Sequence, residues 1–148
     1  MKFKNILGIL IVVGLIVAVS GCTSVENNST SQKNEKVIGE YNLTTDNVKD
    51  VDIPIPDGTN KIRIEYSNLN SIGGYNGNFD FYTLNVTRQS GQPMSSYVDS
   101  IVDTKSVMMN STTPYTGTLE LNANNAKSVV IVDALGKGNV KVIAIERS

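Results

Sequence analysis

From Val37 to the C-terminus, apolar residues recur at every second position in short runs separated by turn-forming residues. A period of two sends alternate side chains to opposite faces of a strand, so each run can bury one face of a sheet. Val51, Ile53 and Ile55 alternate with Asp52 and Pro54, and Ile62, Ile64 and Tyr66 alternate with Arg63 and Glu65. Tyr82, Leu84 and Val86 alternate within Phe79–Val86, as do Tyr115, Gly117, Leu119 and Leu121 farther on. Val129–Ala134 and Val140–Ile145 flank the loop LGKGN at 135–139. Seven or eight short strands in about 110 residues predict an all-β fold: an antiparallel β-sandwich, jelly-roll-like, with room for one short helix. An open sheet packed by one helix is the second arrangement this pattern allows.

The turns refine that expectation. Pro56-Asp57-Gly58-Thr59-Asn60 predicts a hairpin between the runs at 51–55 and 62–66, and LGKGN predicts a second between 129–134 and 140–145. Pro54 has no N–H to give to a ladder, so its strand belongs at an edge or a bulge. Met94, Tyr97, Val98, Ile101 and Val102 have helical spacing after Pro93, yet Ser, Tyr, Val and Asp are weak helix formers. A short helix and a strand or loop both remain open there. The runs at 129–134 and 140–145 are apolar on both faces, so the second face needs cover, either from 93–109 or from another chain.

Composition bounds the chemistry. The 148 residues are room for one domain, with 13 Lys+Arg against 14 Asp+Glu and a formal charge of −1. There is no His, no Trp and a single Cys. A Ser-His-Asp triad, a Cys-His pair, a His-based zinc site and an intrachain disulfide are thereby excluded. The missing basic excess argues against nucleic acid as a partner. No GxGxxG, P-loop or CxxC is present, so no cofactor is expected.

The N-terminus carries a different signal. Lys2 and Lys4 precede Ile6–Val19, fourteen residues that are apolar apart from two glycines. That is short of the roughly 20 residues of a membrane-spanning helix and fits the apolar region of a secretory signal peptide. Val19-Ser20-Gly21-Cys22 follows, and this resembles the lipobox of prokaryotic lipoproteins, bacterial or archaeal. The resemblance implies alkylation of the Cys22 thiol by a lipid glyceryl group and cleavage before it. Residues 1–21 are then the signal peptide and Cys22 the lipidation site. Two lipid chains on one residue give stable membrane anchoring at the extracytoplasmic face. An uncleaved N-terminal anchor would place the domain on the same side. Thr23–Lys36 holds one apolar residue, Val25, and reads as a flexible polar linker, so 22–36 precede a domain at 37–148.

Within that domain the catalytic material is acidic. Asp50 with Asp52, or Asp99 with Asp103, would have to supply the acid/base pair of a carboxylate-dependent glycan hydrolase. Such pairs more often lie on a solvated face. Asn76, Asn78 and Asp80 around Gly77 echo the opening of a calcium loop, but Thr87 stands where the bidentate acid would be. A Gly/Asn-rich turn explains them as well, and no metal site is expected. Tyr41, Tyr66, Tyr75, Tyr82, Tyr97 and Tyr115 are candidates for a sugar-stacking platform, Tyr75 in its glycine-rich loop above all. Asn27, Asn28, Asn42, Asn85 and Asn110 head Asn-x-Ser/Thr sequons. The sequence thus predicts a lipid-anchored cell-surface lipoprotein with a non-catalytic binding, adhesive or structural domain, partnered by the membrane and by a cell-wall glycan or surface protein. The alternative is a small lipid-anchored glycan hydrolase.

Overall fold

A computed structural model describes residues 34–44, 50–74, 76–110 and 112–146. The signal peptide, Cys22, the linker up to residue 33, the Asn27 and Asn28 sequons and Tyr75 lie outside the described residues. The strands are β1 (Glu35–Leu43), β2 (Val51–Pro54), β3 (Thr59–Ser71), β4 (Gly77–Leu84), β5 (Ile101–Met109), β6 (Tyr115–Asn122), β7 (Ser128–Ala134) and β8 (Gly136–Glu146). Met94–Ser100 forms a 3-10 helix between β4 and β5. The helical spacing at 94–102 therefore yields one tight helix, and Ile101 and Val102 already belong to β5.

Two four-stranded sheets stack, with orders β1-β8-β3-β6 and β2-β7-β4-β5. Every neighbouring pair is antiparallel. The pairs β1–β8, β2–β7, β3–β6 and β4–β5 are the rungs of one nested ribbon with β4–β5 at its tip. Wrapping that ribbon places successive rungs in alternate sheets and closes β8 onto β3 and β7 onto β4. This is the topology of an eight-stranded jelly roll.

Both expected hairpins are corrected by this wrapping. β2 and β3 lie in different sheets, as do β7 and β8, so the turns at 56–60 and at 135 carry the chain between layers. Alternation defines which side of a strand is apolar but not which strand it pairs with, and a sandwich crossover uses the same turn residues as a hairpin. β4 and β5 are the sequence-adjacent strands that do pair. The edge position expected for Pro54 is found, because β2 borders its sheet.

The interlayer core follows the alternation. Ile62, Ile64, Leu69, Leu121, Val140, Val142 and Ala144 from one sheet meet Ile53, Phe79, Phe81, Val129, Ile131 and Met109 from the other. Phe79 and Phe81 stack with ring centroids 6.4 Å apart. Fully buried Thr83 donates its hydroxyl to the Asn122 carbonyl at 2.7 Å, and Asp103 Oδ2 accepts the Asn122 N–H at 2.8 Å. These two bonds tie β4 and β5 of one sheet to β6 of the other.

The outward faces are covered from within the chain. Ile143 and Ile145 point away from the core yet are 4% and 2% exposed. Glu35 on β1 and Arg63 on β3 meet above the intervening β8, with Nη1 donating to Oε1 at 2.9 Å and Nη2 to Oε2 at 2.6 Å. The pair spans two strand spacings, about 10 Å, and its aliphatic stems shield the isoleucines. On the other sheet Val130 and Leu84 are fully buried on the outward face. There the segment after β4 folds back: Ser128 Oγ donates to the Val86 carbonyl at 2.8 Å, and Arg88 reaches Asp52, the β2 partner of Val130.

Candidate functional site

The acidic residues singled out in the sequence are structural partners in the fold. Asp50 and Asp52 stand two apart at the start of β2 and, as their spacing requires, present carboxylates to one side. Both converge on Arg88. Its Nε donates to Asp52 Oδ1 at 2.7 Å and Nη2 to Asp52 Oδ2 at 2.9 Å, while Nη1 donates to Asp50 Oδ2 at 2.7 Å and to the Gln92 carbonyl at 2.8 Å. The guanidinium side chain is 2% exposed. The Asp52 hydrogen bonds raise its pKa above an already high value; burial opposes this and Asp50 adds to it. A permanently charged, forked group held this way is a clamp on the 85–93 segment. Sequence reasoning missed Arg88. Its signal was its isolation, since it is the only basic residue between Arg63 and Lys105.

Asp99 and Asp103 are not brought together as a pair. Asp99 is exposed on the 3-10 helix, and Asp103 accepts from the backbone of Asn122 and, at 2.8 Å, of Thr104. Asn78 and Asp80 lie on β4 rather than in a loop, which starts at Gly77 earlier than the glycine-rich run suggests. Asn78 Nδ2 donates to Asp80 Oδ2 at 2.7 Å and Ser106 Oγ donates to Asp80 Oδ1. Both carboxylate oxygens therefore have protein donors. Among the described residues no cluster of three or more acidic, His or Cys side chains is placed to hold a metal.

The tyrosines divide. Tyr97 accepts the Gln89 N–H at 3.0 Å, which pins the 3-10 helix to the segment before it. Tyr115 accepts from Asn110 Nδ2 at 3.1 Å. Tyr82 lies on the outward face of β4, and its pKa is raised mainly by burial, then by Asp80 and Asp50. Of the sequon asparagines, Asn42 and Asn85 are exposed, whereas Asn110 Oδ1 is the acceptor for Thr112 and Thr113 in its own turn.

Tyr41 and Tyr66 pair with Val140 and, like it, pack on the core side of the β1-β8-β3-β6 sheet. A groove of about 680 Å³ on that sheet is lined by residues 40–42, 65–67, 116–118 and 139–141. No residue of the other sheet lines it, so it is a surface feature and not part of the interlayer core. Ladder register sets its layout: Tyr41 is level with Val140 and Tyr66, and Tyr66 with Gly117. One residue on, Asn42 is level with Asn139, and Asn139 with Ser67. One residue back, Glu40 is level with Lys141, Lys141 with Glu65, and Glu65 with Thr118.

Two glycines make the tyrosine placement possible. A Cβ at Gly117 would stand 2.6 Å from the Tyr66 phenol oxygen, and one at Gly39 would stand 2.5 Å from the Tyr41 ring. Each ring therefore lies against bare backbone. Burial raises the Tyr41 pKa, so the phenol stays neutral and keeps its proton to donate.

No family model matches this chain, and no curated protein does. Among solved structures, a chain described under "Bacillus endospore appendages form a novel family of disulfide-linked pili" is similar at 12% identity, with 78% of this chain and 88% of that chain covered and a TM-score of 0.37.

Proposed function

We propose that the chain is a membrane-anchored cell-surface lipoprotein, tethered through lipidated Cys22, whose jelly roll is a non-catalytic binding or structural module. The observation that carries this reading is Val19-Ser20-Gly21-Cys22 directly after the apolar run Ile6–Val19. Among the described residues no helix is long and apolar enough to cross a membrane. The hydrolase alternative finds no support in the acidic pairs, since Asp50 and Asp52 are both held by Arg88 and Asp103 is a backbone acceptor. A glycan hydrolase needs one carboxyl free to donate a proton and another free to attack or activate water.

The test has two separable arms. Cys22→Ser removes the thiolate to be alkylated and is expected to shift the chain from the membrane fraction to the soluble one. Full-length chain in a sugar-free detergent is expected to co-sediment with delipidated cell envelopes. Failure to sediment would remove the binding role and leave a structural one.

A further inference from the structure

We propose that Asn85 is an N-glycosylation site, the acceptor for an oligosaccharide transferred from a lipid-phosphate-linked donor at the extracytoplasmic face. This inference rests on the export part of the reading above and not on the lipid at Cys22.

Three Asn-x-Ser/Thr sequons start within the described residues, and the fold treats each differently. Asn42 lies within β1, level with Asn139, and the middle residue of its sequon, Leu43, is 7% exposed in the interlayer core. A transferase has to close around the acceptor amide and the hydroxyl two residues on. A sequon whose middle side chain is packed in the core cannot leave the sheet to allow that. Asn110 uses its amide within the fold. Its Nδ2 donates to the Tyr115 hydroxyl at 3.1 Å, and its Oδ1 accepts from Thr112 and Thr113. A sugar on that nitrogen has to compete with Tyr115 at a half-buried position.

Asn85-Val86-Thr87 is open. It follows the last residue of β4, outside the ladder, and all three residues are exposed. Within the described residues neither the Asn85 amide nor the Thr87 hydroxyl has a hydrogen bond. The backbone around them is held. The Asn85 N–H donates to the Ser100 carbonyl at 2.9 Å, the Val86 carbonyl accepts from Ser128 Oγ at 2.8 Å, and Arg88 is clamped by Asp50 and Asp52. The acceptor amide and the sequon hydroxyl therefore stand in solvent on a fixed surface loop, where an acceptor asparagine has to be.

The surroundings also suit a glycan. Val86 and Val98 are 37% and 62% exposed. Val86 adjoins Asn85 in the chain, and Val98 lies just before Ser100, to which the Asn85 N–H is bonded. Sugar rings have apolar carbon faces, so a glycan rooted at Asn85 covers two valines that the 85–100 segment leaves in water. The transfer is a substitution at the sugar's anomeric carbon. The bond from that carbon to the lipid phosphate oxygen breaks, and its electron pair leaves with the phosphate. The carbon bonds to Asn85 Nδ2, which gives up one proton.

The experiment is glycopeptide mass spectrometry of the full-length chain purified from the envelope of cells that make it natively. The peptide holding Asn85 is expected to carry sugar mass on that residue, and the peptides holding Asn42 and Asn110 to be bare. Asn85→Gln and Thr87→Ala are each expected to abolish the modification, and Thr87→Ser to retain it. Both positions are exposed and bond nothing, so the unmodified variants should fold with the strand content of the parent. A bare Asn85 in the parent overturns the inference, and so does a glycan that persists in Thr87→Ala. Occupancy of Asn42 or Asn110 equal to that of Asn85 overturns the selection by the fold. A lipidated Cys22 with a bare Asn85 sinks this inference and leaves the anchor standing. A glycosylated Asn85 on a chain with a free Cys22 thiol supports this inference and sinks the anchor.

Discussion

Arg88 shows how one side chain determines the use of an entire outward face. Val130 and Leu84 are buried because the 85–93 segment lies over them, and Arg88 holds that segment to Asp50 and Asp52. Arg88→Ala leaves two carboxylates without their cation and opens the cover. The expected loss is about 2–4 kcal/mol in chemical denaturation, somewhat under the range for a broken buried pair because the aspartates are partly solvated. Proteolysis should then begin within 85–100. Asp133 works in the opposite sense. Burial raises its pKa from the usual 3.8, and the Gly136 N–H, bonded at 2.7 Å, only partly offsets this. A carboxyl with a raised folded value stabilises the fold below the unfolded value and loses that contribution as pH rises through the folded one. Asp133→Asn keeps the accepting oxygen and removes the charge. Its stability relative to the parent should therefore rise from pH 4 to pH 7, read as urea midpoints at each pH. Asp80 has both oxygens occupied, so the circular dichroism spectrum should be unchanged by EDTA or by millimolar calcium.

The elements were legible in unequal measure. Strand positions for β2, β3, β6, β7 and β8 follow from period-two alternation, because one face of each meets the core. Pairing did not follow, because in a wrapped ribbon the partner of β7 is β2, some eighty residues earlier in the chain and set by layer stacking rather than by any local signal. β5 was unreadable as a strand. Its inward positions include Asp103 and Lys105, which sit at a sheet edge where polar groups reach solvent, so no clean apolar stripe marks it. The groove was not legible, since its layout needs the register of four strands, and Tyr41 and Tyr66, picked out in the sequence, turn to the core side instead. The β7–β8 crossover rests on Gly138, whose φ of 148° is poorly accessible to other residues and whose Cβ would stand 2.9 Å from the Asn68 carbonyl. Gly138→Ala is expected to destabilise by about 1–3 kcal/mol in thermal unfolding. A neutral outcome would mean the crossover can relax.

At the scale of the molecule, the fold brings the two ends of the domain to one pole. Asn34 accepts the Glu146 N–H through its carbonyl at 3.0 Å, and Thr59 is level with Glu146. The chain thus enters the domain beside its C-terminal strand, at the pole that carries the Pro56–Asn60 turn. The opposite pole holds the β3–β4 and β5–β6 loops and the β7–β8 crossover. The central claim is lipid anchoring through Cys22, and it is tested most directly by intact mass of the protein extracted from membranes. The account predicts a chain that begins at Cys22 and carries the added mass of a lipid. A chain that begins at Met1 with an unmodified Cys22 thiol would contradict it.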